Sequence, residues 1–303
     1  MLAAALLLAM AAALPGLAQA GGFKLGNLFK MSLSQEEEIA SELHDELAED
    51  PGLITEGERY DLVQEIGARL VEKNNLDEYE YKFFLVKDEE VNAFATPAGY
   101  IYVTEGLLDY MAYDESMLAG VMAHELGHAK DRHVAKGYEK AMTGVLGLTV
   151  LDIALGKKNE DITNAVAVGG QVIYLKYNRD QEEWADRYGV DLAYNAGYDA
   201  YGLVRGLECL EALHGSADDI SVWLQNHPST DDRVDRTLKI AAETCGQPHG
   251  YMKIPAPPKD HPLYEKYGPE GSGPDQAVTG AIGEAEVYVR PRSSTSRSTP
   301  QVR

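Results

Sequence analysis

The feature that most constrains this chain is a set of ionisable side chains inside an otherwise apolar helical run. Asp114 is a good N-cap for a helix, and the helix it opens carries Val121, Met122, Ala123, Leu126, Gly127 and Ala129 around His124, Glu125 and His128. A segment this apolar belongs in a core. Burying a carboxylate and two imidazoles there is costly unless the fold supplies partners for them. Any structure the chain adopts must therefore bring compensating groups to this helix from elsewhere.

His124 and His128 stand at i and i+4, so both rings leave the helix on one face. That spacing lets two imidazole nitrogens hold a single Zn²⁺ at ~2.0–2.1 Å. Glu125, one position on, is rotated by about 100° around the axis. It faces away from the same metal position and suits a general base acting on a water molecule. A catalytic site needs a third protein ligand and an open position. His133 does not fit the pattern of a Gly three residues and a His six residues after the second ligand, because Asp131 and Val134 occupy those positions. His133 therefore reads as a surface residue. The other source is the acidic segment 178–186, Asn-Arg-Asp-Gln-Glu-Glu-Trp-Ala-Asp. Glu182 and Asp186 share a helical face. Glu182 can bind the metal, and Asp186 can hold the outer nitrogen of a ligand histidine. Glu183 and Asp180 read as solvated, and a wholly solvated acidic face is the alternative for all four.

Periodicity organises the rest. Ser34 with Glu37 has the form of a capping box and opens a helix to about residue 48. A second helical pattern covers about 57–73, with Leu62, Ile66, Leu70 and Val71 in phase. The period then changes to that of strands at 79–86, 91–95 and 100–104, with a Thr-Pro-Ala-Gly turn at 96–99 making a hairpin of the last two. Further helices are expected at about 164–174, 179–196, 201–213 and 231–244. The class is α+β and mostly helical.

The ends differ from this middle. Leu2 to Leu14 is apolar and uncharged, Pro15-Gly16 breaks it, and Ala18-Gln19-Ala20 offers a small-x-small cleavage site, so residues 1–20 read as a signal peptide. The run is short for a bilayer span. Residues 21–33 form a linker whose Phe23, Leu25, Leu28 and Phe29 either dock on the domain or touch a membrane. Residues 34–250 form the folded domain. Residues 251–303, rich first in Pro and Gly and then in Ser and Arg, read as tail. Export would place the protein in a periplasm or outside the cell, with membrane association a further expectation. In that setting Cys209 and Cys245 are a candidate disulfide, worth ~3–4 kcal/mol if formed, with two buried thiols as the alternative. The net charge of −22 argues against a nucleic-acid partner, which calls for a basic surface.

Four stretches, in order, resemble the M48 family of metallopeptidases: the hairpin Asn92 to Val103, the His124-Glu125-Leu126-Gly127-His128 motif, Asn178 to Asp186, and His227-Pro228-Ser229-Thr230 with Arg233. The second-helix match has Asn178 where the family usually has Ser. The resemblance covers about residues 90–235, without the tetratricopeptide domain of some relatives. It implies a zincin-like (gluzincin) domain with a small sheet before the zinc helix and one Zn²⁺ held by His124, His128 and Glu182, Glu182 rather than Glu183 being in register. It implies catalysis by Glu125, with His227 either stabilising the transition state, occupying the open coordination position, or simply capping backbone in a buried loop. Arg233 would bind substrate or pair with an acid, and the edge around Asn92 would receive an extended peptide. The implied function is a zinc metalloendopeptidase acting on exported or envelope polypeptides in protein quality control; the alternative is a zinc-bound chaperone or assembly module. The stretches 144–156 and 165–174, which cross the bilayer in membrane-embedded relatives, are too short and polar here and read as a helical hairpin over the cleft, against a membrane surface, or in the core.

Overall fold

A computed structural model of the chain describes residues 30–140, 177–214, 222–228, 232–246, 252–255, 257–264 and 286–289. The expected signal peptide at 1–20, most of the expected linker, and the segments at 144–156 and 165–174 lie outside these residues. Helix α1 (Leu33–Glu49) leads through a short strand β1 (Leu53–Ile54) to α2 (Glu58–Asn74). Strands β2 (Lys82–Val86), β3 (Ala93–Ala95) and β4 (Tyr100–Thr104) follow, with a 3-10 turn at Pro97–Gly99 between the last two. Then come α3 (Glu105–Met111), α4 (Glu115–Lys130), α5 (Arg179–Asn195), α6 (Gly202–His214), α7 (Trp223–Asn226) and α8 (Arg233–Cys245). Strands β5 (Met252–Pro255) and β6 (Glu286–Val289) form a separate antiparallel pair.

The main sheet has the order β1-β2-β4-β3 and is mixed, β2 pairing with β4 in parallel and β3 pairing with β4 as an antiparallel hairpin. Side chains alternate between its faces, as the two-residue period of a strand requires. Phe83, Leu85, Ala93, Ala95, Ile101 and Val103 join the main core with α2 and α4, whereas Val86, Phe94 and Tyr102 form a second cluster with Phe84, Tyr100 and Leu47 of α1. Tyr102 is stacked between Phe84 and Phe94, at ring distances of 4.9 and 5.0 Å, and its hydroxyl lies 3.2 Å from His44 Nδ1 of α1.

Local chemistry sets the helix ends. The capping box of α1 is Ser32 with Gln35 rather than Ser34 with Glu37, because the helix starts at Leu33 and Ser34 is already inside it. Asp114 accepts from the backbone N–H groups of Ser116 and Met117, and its other oxygen takes 2.7 Å from Nε of the buried Arg205. This pairing ties the start of α4 to α6. Asn178 caps α5 in a full capping box with Gln181, which accounts for an Asn at a position where Ser serves equally well.

Helix α4 is buried along almost its whole length, from Met117 to Ala129. It lies between α5 and α6 at glycine contacts. A Cβ on Gly189 of α5 would meet the backbone N of His124 at 2.8 Å, and one on Gly202 of α6 would meet the carbonyl of Ser116 at 1.9 Å. Part of the expected tail is packed: His261 and Leu263 are buried, and His261 Nε2 lies 2.8 Å from the Tyr110 carbonyl and 3.7 Å from Cys209 Sγ. The candidate disulfide is absent. Cys209 and Cys245 are both free, the second lying with its Sγ against the carbonyl of Ala242. Among the described residues no helix is long and apolar enough to cross a membrane.

Gly189→Ala should push α5 off α4 by overpacking, at a cost of about 1–3 kcal/mol. We expect a lower melting temperature in thermal unfolding.

Candidate active site

His124, His128, Glu182 and His227 converge so that one donor atom from each lies within 4.8 Å of the others, and all four are buried. Helix α4 delivers the first two and α5 the third. The fourth follows α7, whose single turn ends at Asn226. His124 Nε2 is 3.0 Å from His128 Nε2 and 3.3 Å from His227 Nδ1. Glu182 Oε1 is 3.3 Å from His128 Nε2 and 3.1 Å from His227 Nδ1. Glu183, the alternative ligand in sequence, is exposed.

Asp186 Oδ1 lies 3.0 Å from His124 Nδ1, and both groups are fully buried. Arg233 binds Asp186 through two nitrogens, at 3.1 and 2.8 Å, and reaches Glu182 Oε2 at 2.7 Å with a third. It also donates to the carbonyl of His227. Of the two readings of Arg233, the structure has the acid-paired one. Burial works against the charges of both carboxylates, but His227 and Arg233 outweigh it at Glu182 and hold that group well below the usual range. At Asp186, Arg233 and His124 likewise overcome burial and bring it to about 2.

Glu125 is not one of the four converging donors, but its Oε1 lies 3.5 Å from His227 Nε2. Burial pushes its carboxyl up to about 7, against the opposing pull of His124 and of the Trp223 indole. Trp223 Nε1 donates to Glu125 Oε1 at 2.9 Å, and Glu125 Oε2 has no hydrogen-bond partner among the described residues. The same indole stacks on His227 at 4.2 Å and 7°, lies under the Arg233 guanidinium at 4.9 Å, and belongs to a residue whose backbone N–H donates to the Val91 carbonyl at 3.3 Å. Segment 222–228 therefore fills the space between the Glu125 carboxylate, the His cluster and the end of the edge strand.

Asn92 is buried at that edge; its backbone is paired with Thr104, while its Oδ1 has no partner among the described residues. His133 requires a correction. It is only 3% exposed, and its Nδ1 lies 2.8 Å from His128 Nδ1. Arg132 takes a left-handed conformation, with φ of 53°, which folds the chain back under α4 and buries a residue that helical spacing alone would leave at the surface. Burial lowers the His133 imidazole to about 4. Two further residues were not anticipated. Tyr177 stacks on His128 at 3.8 Å and 24°. Trp223 stands four residues before His227, a spacing that would have flagged the pair had that turn been read as helical.

The donor set fits a metal. Asp186 Oδ1 lies 3.0 Å from His124 Nδ1 but out of line for a hydrogen bond; its negative charge on that side of the ring favours the proton on Nδ1, which turns the lone pair of His124 Nε2 toward the other nitrogens and the Glu182 oxygen. Lone pairs facing one another at such distances in a dry site call for a cation between them. Nitrogen, nitrogen and carboxylate oxygen are the ligands zinc takes in catalytic sites.

The model of peptidase family M48 matches residues 58–241. The putative beta-barrel assembly-enhancing protease of Vibrio cholerae serotype O1 is 30% identical over 60% of this chain and 39% of its own length. The beta-barrel assembly-enhancing protease of Escherichia coli K12 is 28% identical over 67% of this chain and 43% of its own. The mitochondrial metalloendopeptidase OMA1 of Arabidopsis thaliana is 33% identical over 52% of this chain and 30% of its own. The chain thus spans less than half the length of these relatives. It belongs to peptidase family M48, whose metal is zinc, and its mixed sheet and helices form the zincin-like fold of that family.

The Asp186 carboxyl is lowered in the folded state, from 3.8 to about 2. Its contribution, ~2 kcal/mol from that shift, is therefore present above about pH 4 and lost as the pH falls toward 2. In urea unfolding of the metal-free chain, Asp186→Asn should be less stable than the parent near pH 6, and the gap should close toward pH 2. A gap that stays constant would show that the pair is not coupled to folding.

Proposed function

We propose that this M48 chain is a zinc-dependent metalloendopeptidase in which His124, His128 and Glu182 hold the metal and Glu125 is the general base. The observation that carries this reading is the convergence of two imidazoles and a carboxylate from two different helices, with a second carboxylate, Glu125, buried beside them and unbound to them. When bound, zinc would polarise the scissile carbonyl and lower the pKa of a water molecule. Glu125 would take the proton of the attacking water and hand it to the departing amine. Its raised pKa favours both halves of that exchange near neutral pH. Asp186 and Arg233 keep His124 and Glu182 in place and in the right protonation state. The Asn92–Ala95 edge, with its outer backbone beside Glu125, suits a substrate that binds in extended form.

The substrates we infer are polypeptides of the cell envelope or exported proteins, in quality control. The names of the relatives and the leader-like residues 1–20 support this. The protein would then work in a periplasm or outside the cell, with peripheral membrane contact a further element of the reading.

His227 favours a second reading. Its Nδ1 supplies a fourth protein donor, and four protein ligands are the mark of a structural zinc site. A zinc-bound assembly module would look like this, and so would a peptidase at rest. Glu125 supports the latter, because a structural site has no use for a buried base.

Two variants test these readings. Glu125→Gln should reduce cleavage of an unfolded polypeptide by about 10²–10⁴-fold with zinc content unchanged in metal analysis; an unimpaired variant would sink the enzymatic reading. His227→Ala should raise the cleavage rate if His227 holds the site at rest. A fall in rate with KM unchanged would make it a group that acts on the transition state.

A further inference from the structure

We propose that His133 is a positioning residue that sets the metal-ready tautomer of His128, and that the left-handed turn at Arg132 serves to deliver it. This rests on the reading of His128 as a metal ligand.

The argument follows the protons. His133 Nε2 lies 2.8 Å from Asp131 Oδ2, which also receives Lys136 Nζ at 2.8 Å. A carboxylate accepts only, so His133 carries its proton on Nε2. In the neutral imidazole the other nitrogen is then a bare acceptor. That nitrogen, Nδ1, is the one 2.8 Å from His128 Nδ1. His128 must place its own proton there to make the bond. Its Nε2 is thereby left as a lone pair, and Nε2 is the nitrogen that faces His124 and Glu182. His124 reaches the same state in one step through Asp186. His128 reaches it in two, through an imidazole and then a carboxylate.

The chain is built to hold this geometry. Helix α4 ends at Lys130, Asp131 is its C-cap, and Arg132 has φ of 53°. A non-glycine residue is uncommon there and needs outside support. Glu36, only 1% exposed on α1, supplies it by accepting from Arg132 Nε at 2.7 Å, while Arg132 Nη2 donates to the Met31 carbonyl at 2.9 Å. The edge of the Trp184 indole closes the side of the His133 ring at 5.6 Å and 79°. A histidine present only to fill space would need none of this polar matching.

The test compares two near-isosteric variants in the full chain. Asn places a carbonyl oxygen where the His133 Nδ1 stands, so His133→Asn keeps the acceptor for His128 and gives up Asp131. Gln reaches instead to the Nε2 position, so His133→Gln keeps Asp131 and gives up His128. Zinc affinity is read by competition with a chromogenic chelator, and the ligand field by the visible spectrum of the Co²⁺ form. We expect His133→Gln and His133→Ala to weaken zinc binding by about 10–100-fold, the usual effect of losing an outer partner of a metal ligand. His133→Asn should stay within about 3-fold of the parent and keep its Co²⁺ spectrum. Wild-type affinity in His133→Gln overturns the proposal. So does equal weakening in the Asn and Gln variants, which would mark His133 as packing. If His133→Ala fails to fold, the Asn and Gln pair decides alone. His128→Ala is the control for the underlying reading. If its zinc affinity equals the parent's, the metal site itself is wrong and this proposal falls with it; if His128→Ala loses zinc while His133→Gln does not, only this proposal falls.

Discussion

The structure depends on one buried guanidinium. Arg233 is 1% exposed and answers two carboxylates that are themselves buried, Asp186 and Glu182. Without it, two negative charges would sit on one helical face in a dry interface, where desolvation and mutual repulsion would drive one of them to take up a proton. A protonated Asp186 would no longer fix the tautomer of His124, and a protonated Glu182 would be a poor ligand. Arg233 itself comes from α8, late in the chain. Helices α4, α5 and α8 are thus held together by electrostatic necessity as well as by apolar contact, and the state of the centre reports on the packing of all three.

Around that centre each working group has its own support. His124 leans on Asp186, His128 on the turn beyond its own helix, Glu125 on the Trp223 indole, and Glu182 on Arg233. These supports come from four separate parts of the sequence. They are nevertheless linked, because Arg233 also pairs with Asp186 and lies against the Trp223 ring.

How much of this was legible in the sequence follows from what each feature depends on. Spacing along one helix is a local property, so His124, Glu125 and His128 could be read from a pentapeptide, and Glu182 and Asp186 from a shared face on a second helix. Strand β4 and the start of α4 were equally plain, since their signals are a change of period and a capping residue. His133 was misread because its role hangs on a single left-handed residue that Glu36, nearly a hundred positions away, holds in place. The Arg233 pairing left two options open, because a charge on a helix says nothing about which helix lies opposite. Trp223 was invisible for a similar reason: α7 is one turn long, too short for any periodicity to emerge. The Cys209–Cys245 question was one of distance in space, which sequence does not carry.

The glycine contacts along α4 carry a last consequence. At Gly189 and Gly202 the neighbouring helices meet the backbone of α4 directly, with no side chain between them. Side chains are the part of a core that can repack; backbones at that separation have no alternative arrangement of comparable energy. The metal-bearing helices should therefore behave as one stiff block on the timescale of turnover. Any opening has to be found in the parts that touch this block through side chains, and segment 222–228 is the nearest of these.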